Sequence, residues 1–140
     1  MLKQLLLEWA LRQKQKKMQV GADYNVENYL EKIIEYFDPA KAGARKLTVV
    51  YEFHDSGEND GAWTVSISEG KCVLSSGEAE QFDSKFYMTA ETYRRILTGK
   101  LDFSKLTYST GAIRFFGNTL AHMELNSYLT LPKDAGVAGL

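Results

Sequence analysis

Titratable and nucleophilic groups that could do chemistry are few in this chain. Its histidines are His54 and His122, and its single cysteine is Cys72. A zinc site needs three or four ligands at workable spacing, and these three residues do not supply it. Asp55, Glu58 and Asp60 crowd one loop. They lack the Asp-x-Asp-x-Asp-Gly order of a calcium loop and read as a solvated turn. Ser109 and Ser127 lie near His122 in sequence, but no nucleophile elbow surrounds either serine. Gly111 and Gly117 bracket a strand-like stretch without the Lys-Ser/Thr ending of a phosphate loop. A base such as His122, Tyr93 or Tyr108 would have to reach a bound substrate, and the sequence places none of them so. His122 reads instead as a surface residue of the last helix. The chain is therefore expected to be no enzyme, with no catalytic residue, no metal and no cofactor.

What remains is an apolar interior and the elements that enclose it. At 140 residues, 44% of them hydrophobic and 25% charged, the chain has the composition of one globular domain. A net charge of −1 gives no general pull toward nucleic acid. One cysteine rules out an intrachain disulfide framework and fits a reducing compartment. The longest apolar run near the start, Leu5-Leu6-Leu7, is far short of a membrane span, and no cleavage-site pattern follows it. A cytoplasmic location is expected.

Residues 1–19 have helical spacing at Leu2, Leu5, Leu6 and Trp9, followed by Lys14, Lys16 and Lys17. Asn25 is placed to cap a second helix whose apolar stripe is Val26, Tyr29, Leu30, Ile33, Ile34 and Phe37. Asp38-Pro39 ends it. From Lys46 the period changes to two. Leu47, Val49, Tyr51 and Phe53 share a face, as do Trp63, Val65 and Ile67. Cys72 with Leu74, Phe86 with Met88, and Ile113 with Phe115 complete five strands, each with one mainly apolar face. Short turns at 56–61 and 69–70 predict an antiparallel meander for the first three. Thr89 caps a helix ending at Gly99, residues 102–108 read as a short helical turn, and a last helix runs from about Asn118 to about Tyr128. The expected class is α+β: a five-stranded, mainly antiparallel twisted sheet, helices on one face and the other face wet.

The order and spacing of several pieces resemble the sterol carrier protein type-two family of lipid-transfer domains. The entry helix Val26–Phe37 is similar, as are the hairpin Val49–Phe53 with Trp63–Ile67, Met88-Thr89, Thr98-Gly99-Lys100-Leu101, and Gly111 with Gly117-Asn118. The resemblance runs from roughly Val26 to Leu129. It implies an apolar tunnel between sheet and helices that carries a fatty acid, acyl-CoA, sterol or phospholipid without covalent chemistry. The N-terminal 20 residues look like an addition, and His122, Glu124 and Phe116 depart from the family's pattern.

The candidate lining is the apolar sheet face and the helix faces opposite it: Val49, Tyr51, Val65, Met88, Tyr93, Leu97, Ile113, Phe115, Leu120 and Met123. Residues 21–131 form the lipid-binding domain in this reading. Residues 1–20 are a helical extension for dimerisation, docking or membrane-surface contact, and 132–140 a tail. The expected partners are a lipid ligand, a membrane surface and a second copy of the chain, and not nucleic acid. The alternative is an interaction module with a filled core, accessory to a lipid-metabolising enzyme.

Overall fold

The computed structural model describes residues 24–98 and 113–131. The expected helices over 1–19 and 102–108, the tail and the stop at Gly99 lie outside these residues. The first described helix, α1 (Val26–Tyr36), begins where Asn25 in extended geometry accepts a hydrogen bond from Asn28 N at 3.2 Å. It buries Val26, Tyr29, Leu30 and Ile33. Asp38 then caps a one-turn helix, α2 (Pro39–Ala42), with Pro39 in the first turn, where its missing N–H costs nothing.

Five strands follow the predicted alternation: β1 (Leu47–Phe53), β2 (Gly61–Ser68), β3 (Lys71–Ser76), β4 (Ser84–Met88) and β5 (Arg114–Gly117). Their spatial order is β3-β2-β1-β4-β5. Glu69 and Gly70, both at positive φ, make the tight β2–β3 turn that such a two-residue hairpin requires. Three neighbour pairs are antiparallel, and β1 with β4 is parallel, so the sheet is mixed. A parallel neighbour needs a crossover connection. Here it is the segment 77–83.

That crossover changes the second face of the sheet. Thr64 Oγ1 donates to Gly77 O at 2.8 Å and accepts from Ala79 N at 3.0 Å. Asp83 pairs with Thr48 through both its backbone N–H and its carboxylate. Val50 and Thr64, opposite each other in register, are consequently buried. The expectation of a wholly wet outer face is corrected at this point. Beside them Lys85 Nζ joins Glu52 at 3.2 Å and also Glu78.

On the inner face lie α1, α3 (Ala90–Leu97) and α4 (Ala121–Ser127). Thr89 caps α3 by accepting from Thr92 N at 3.1 Å. The last helix starts later than its sequence signal. Asn118 accepts from Leu120 N at 2.9 Å, closing a local turn ahead of Ala121. Residue 117 must be glycine, because at φ +85° an added Cβ would stand 2.2 Å from Asp83 O. The chain after α4 is tied to the α1–α2 corner by Thr130 N to Tyr36 O at 2.8 Å, Asp38 N to Tyr128 O at 2.7 Å, and Lys41 Nζ to Leu129 O at 2.9 Å.

Candidate functional site

The interior is built from alternate residues of the sheet. In register, Val49 lies between Val65 and Ser84, Tyr51 between Trp63 and Phe86, and Phe53 beside Met88. Phe86 continues the row to Phe115. Of the residues singled out from sequence, Val49, Tyr51, Val65, Met88, Tyr93 and Ile113 are buried in a single apolar cluster. Leu97, Phe115 and Met123 are partly buried against it. Leu120 does not enter the interior; it stands at the start of α4, 50% exposed. Ala121 and Leu125, on the buried face of α4, take the inward positions instead.

Sequence reasoning missed the polar part of this interior. His122 is only 3% exposed, not a surface histidine. Its register with Leu125 and Leu129, three and seven residues on, was the available signal, since these spacings share a helix face. Tyr51 Oη lies 2.7 Å from His122 Nδ1, and Asn126 Nδ2 lies 3.0 Å from His122 Nε2. With the Asn126 amide donating to Nε2, the imidazole proton sits on Nδ1 and goes to the Tyr51 oxygen. The Tyr51 proton is then turned away from His122. Burial disfavours the charged imidazole and pulls its pKa down to about 4. His122 is therefore neutral near pH 7.

Tyr93 ring packs on Tyr51 and Phe53, with centroids 5.8 Å and 5.3 Å away. Its hydroxyl is buried and has no hydrogen-bond partner among the described residues, as is true of Ser84 Oγ and Tyr24 Oη. Burial raises the pKa of Tyr51 and Tyr93 well above the usual phenol range, and Tyr93 adds to the rise at Tyr51 and at Tyr24. Among the described residues no Lys, Arg, Asp or Glu is buried; the buried polar side chains besides tyrosine are Thr64, Ser84, Thr98 and His122.

The other candidate chemistry is dispersed. His54 stacks on Tyr87 at 4.2 Å and lies 3.0 Å from Asp55 Oδ2, away from His122. Asp60 Oδ1 accepts from Ser56 N at 2.6 Å, and Asn59 Oδ1 accepts from Val26 N at 3.0 Å, so the acidic loop ties itself and α1 in place. Cys72 is half-buried, its thiol pushed up to about 11 by burial. Ser127 Oγ donates to Glu124 O. Ser109 and Tyr108 lie outside the described residues. No described group of three His, Cys, Asp or Glu is placed to hold a metal, and no described helix is long and apolar enough to cross a membrane.

A stereoselective inverting sec-alkylsulfatase from Pseudomonas sp. superposes with a TM-score of 0.68 at 16% identity, over 79% of this chain and 17% of the sulfatase. Sterol carrier protein 2 like 2 from Aedes aegypti gives 0.54 at 20% identity, over 72% of this chain and 94% of that one. A conserved hypothetical protein from Thermus thermophilus gives 0.53 at 14% identity, over 81% and 92%. These likenesses establish a shared fold. None of the curated proteins matches the chain in sequence. The model of the SCP-2 sterol transfer family matches residues 30–130, most of the chain, and on that match the protein belongs to this family.

Proposed function

We propose that the chain binds a lipid non-covalently between its sheet and its helices and carries it from one site to another. The observation that supports this most is the single apolar cluster between sheet and helices, in which Tyr51 and Met88 are fully buried and against which Phe115 and Met123 pack partly buried. Methionine adapts to cargo of varied shape, which suits Met88 and Met123 to a wall that repacks. Among the described residues, two of the three helices over this face are short: α3 has eight residues and α4 seven. A sixteen-carbon tail buried at about 0.8 kcal/mol per methylene gains about 12 kcal/mol gross. Association costs about 4–15 kcal/mol. A modest polar anchor then decides the net affinity, and no catalytic group is needed.

Mass spectrometry of organic extracts from the purified protein tests this reading. A bound lipid at near-stoichiometric amount is expected. Empty extracts, together with no uptake of added fluorescent lipid, would refute it.

A second reading is favoured by one observation, that the same fold makes up a fraction of a larger enzyme chain. In it the domain docks on a lipid-metabolising enzyme or pairs with a second copy through residues 1–20. Light scattering on the chain lacking residues 1–20 separates the two: a halved mass supports pairing, and an unchanged mass counts against it.

A further inference from the structure

We infer that Tyr93, backed by Tyr51 and His122, is a specificity anchor that selects a lipid whose head is a neutral oxygen, an alcohol or a carbonyl, over one whose head is a carboxylate. The inference rests on the lipid-binding reading above and names its substrate class.

Three observations carry it. First, the Tyr93 hydroxyl is buried without a partner among the described residues. A buried hydroxyl that bonds to nothing costs free energy, so native proteins seldom keep one unless something else engages it. Second, Tyr51 beside it has its oxygen engaged by His122, which leaves the phenol proton directed elsewhere. The two tyrosines thus offer O–H donors in one region of an apolar interior. Third, the described residues put no cation in that interior to meet an anion. Among the described residues no lysine or arginine is buried, and the one buried histidine makes hydrogen bonds with Tyr51 and Asn126. A carboxylate moved from water into such surroundings loses hydration that neutral donors only partly replace. An alcohol or carbonyl oxygen loses far less and accepts the same hydrogen bonds. Tyr93 is also able to accept from an alcohol head, since a phenol oxygen does both.

In this arrangement Tyr93 touches the head. Tyr51 and His122 are positioning residues: the imidazole fixes the direction of the Tyr51 proton, and Asn126 fixes the imidazole tautomer. The arrangement also explains why the neighbouring tyrosines are not phenylalanines in a layer that is otherwise apolar.

Binding of tail-labelled fluorescent hexadecanol and tail-labelled hexadecanoate to the full chain at pH 7.4 tests the inference. The two probes share the tail and differ in the head, so tail burial cancels. Hexadecanol is expected to bind at least five-fold more tightly, about the value of one hydrogen bond. Tyr93→Phe removes only the hydroxyl. It is expected to erase that preference and, by removing an unpaired buried group, to raise the thermal midpoint of the ligand-free protein. A purely structural role for Tyr93 would not produce this opposite movement of affinity and stability. Equal or tighter binding of hexadecanoate, or a preference that survives Tyr93→Phe, overturns the anchor and leaves lipid binding standing. Failure of both probes to bind overturns the lipid-binding reading with it. The comparison of heads on the unmutated chain decides the matter even where the variant does not fold.

Discussion

Tyr51 Oη and His122 Nδ1, 71 residues apart in sequence, meet at 2.7 Å inside the core and join the central strand to the last helix. Burial of the His122 ring makes stability depend on pH. The His122 pKa falls from 6.5 to about 4 on folding, because burial disfavours the charged ring. The unfolded chain therefore binds the proton more readily than the folded one. This contribution is fully present above pH 6.5 and is lost as pH falls toward 4. At about 1.4 kcal/mol per pH unit it amounts to about 3 kcal/mol. Urea unfolding at pH 7 and pH 4.5 should show a larger loss for the natural chain than for His122→Gln. Equal losses would show that His122 is not buried as the neutral ring.

Gly117 ends β5 at φ +85° with Asp83 O where a Cβ would stand. Asp83 O also accepts from Asn118 N at 3.0 Å, so the backbone cannot simply draw back. Gly117→Ala should cost more than about 3 kcal/mol, through clash and through strain. Gly57, at φ +61° with open space around its Cβ position, gives the control. Gly57→Ala should cost about 1 kcal/mol, the conformational part alone. Thermal midpoints of the two variants check this; similar values would contradict the close approach at Gly117.

These two sites also mark how far the sequence could be read. Strict alternation at Leu47, Val49, Tyr51 and Phe53, and at Phe86 and Met88, located the strands and the inward face, because a period of two survives any sheet order. Pairing was another matter. Nothing local to β1 or β4 says that they run parallel, and the crossover that buries Val50 and Thr64 is a tertiary event. Caps at Asn25 and Thr89 were legible, since each acts within three residues. Asn118 misled by two or three residues because the same side chain serves a turn as readily as a helix cap. Among the interior candidates, Leu120 was read inward by type, while His122 was read outward by type, and the structure places them the other way round.

In the proposed function Met123 belongs to a lipid-facing wall and Leu120 to its rim. Met123 is partly buried against the apolar cluster, and Leu120 is half-exposed. A carboxylate at 123 would face the tail and lose its hydration on binding. Met123→Asp should weaken binding of a neutral fluorescent lipid more than ten-fold, and Leu120→Asp less than three-fold, with both chains giving the circular dichroism of the natural fold. Comparable losses at both positions would move the ligand toward the outer end of α4.

Arg45 grips Glu124 of α4 by two bonds, Nε to Oε2 at 2.6 Å and Nη2 to Oε1 at 3.1 Å, and Tyr128 Oη donates to the same carboxylate. The Arg45 hydrogen bond, aided by that of Tyr128, holds the Glu124 pKa below the ordinary value. Arg45 is exposed and Glu124 partly so, which keeps the pair's worth near that of exposed ion pairs, about 0.2–1 kcal/mol. Glu124→Gln should therefore shift the urea midpoint only slightly, and less in 0.5 M salt than at low ionic strength. Its effect on α4 should be larger than its effect on stability, since the fork fixes the helix that carries Met123 and His122. Amide hydrogen exchange across Ala121–Ser127 should accelerate in Glu124→Gln while β1 and β2 stay protected. Unchanged exchange in α4 would show that the grip has no part in holding the cover over the interior.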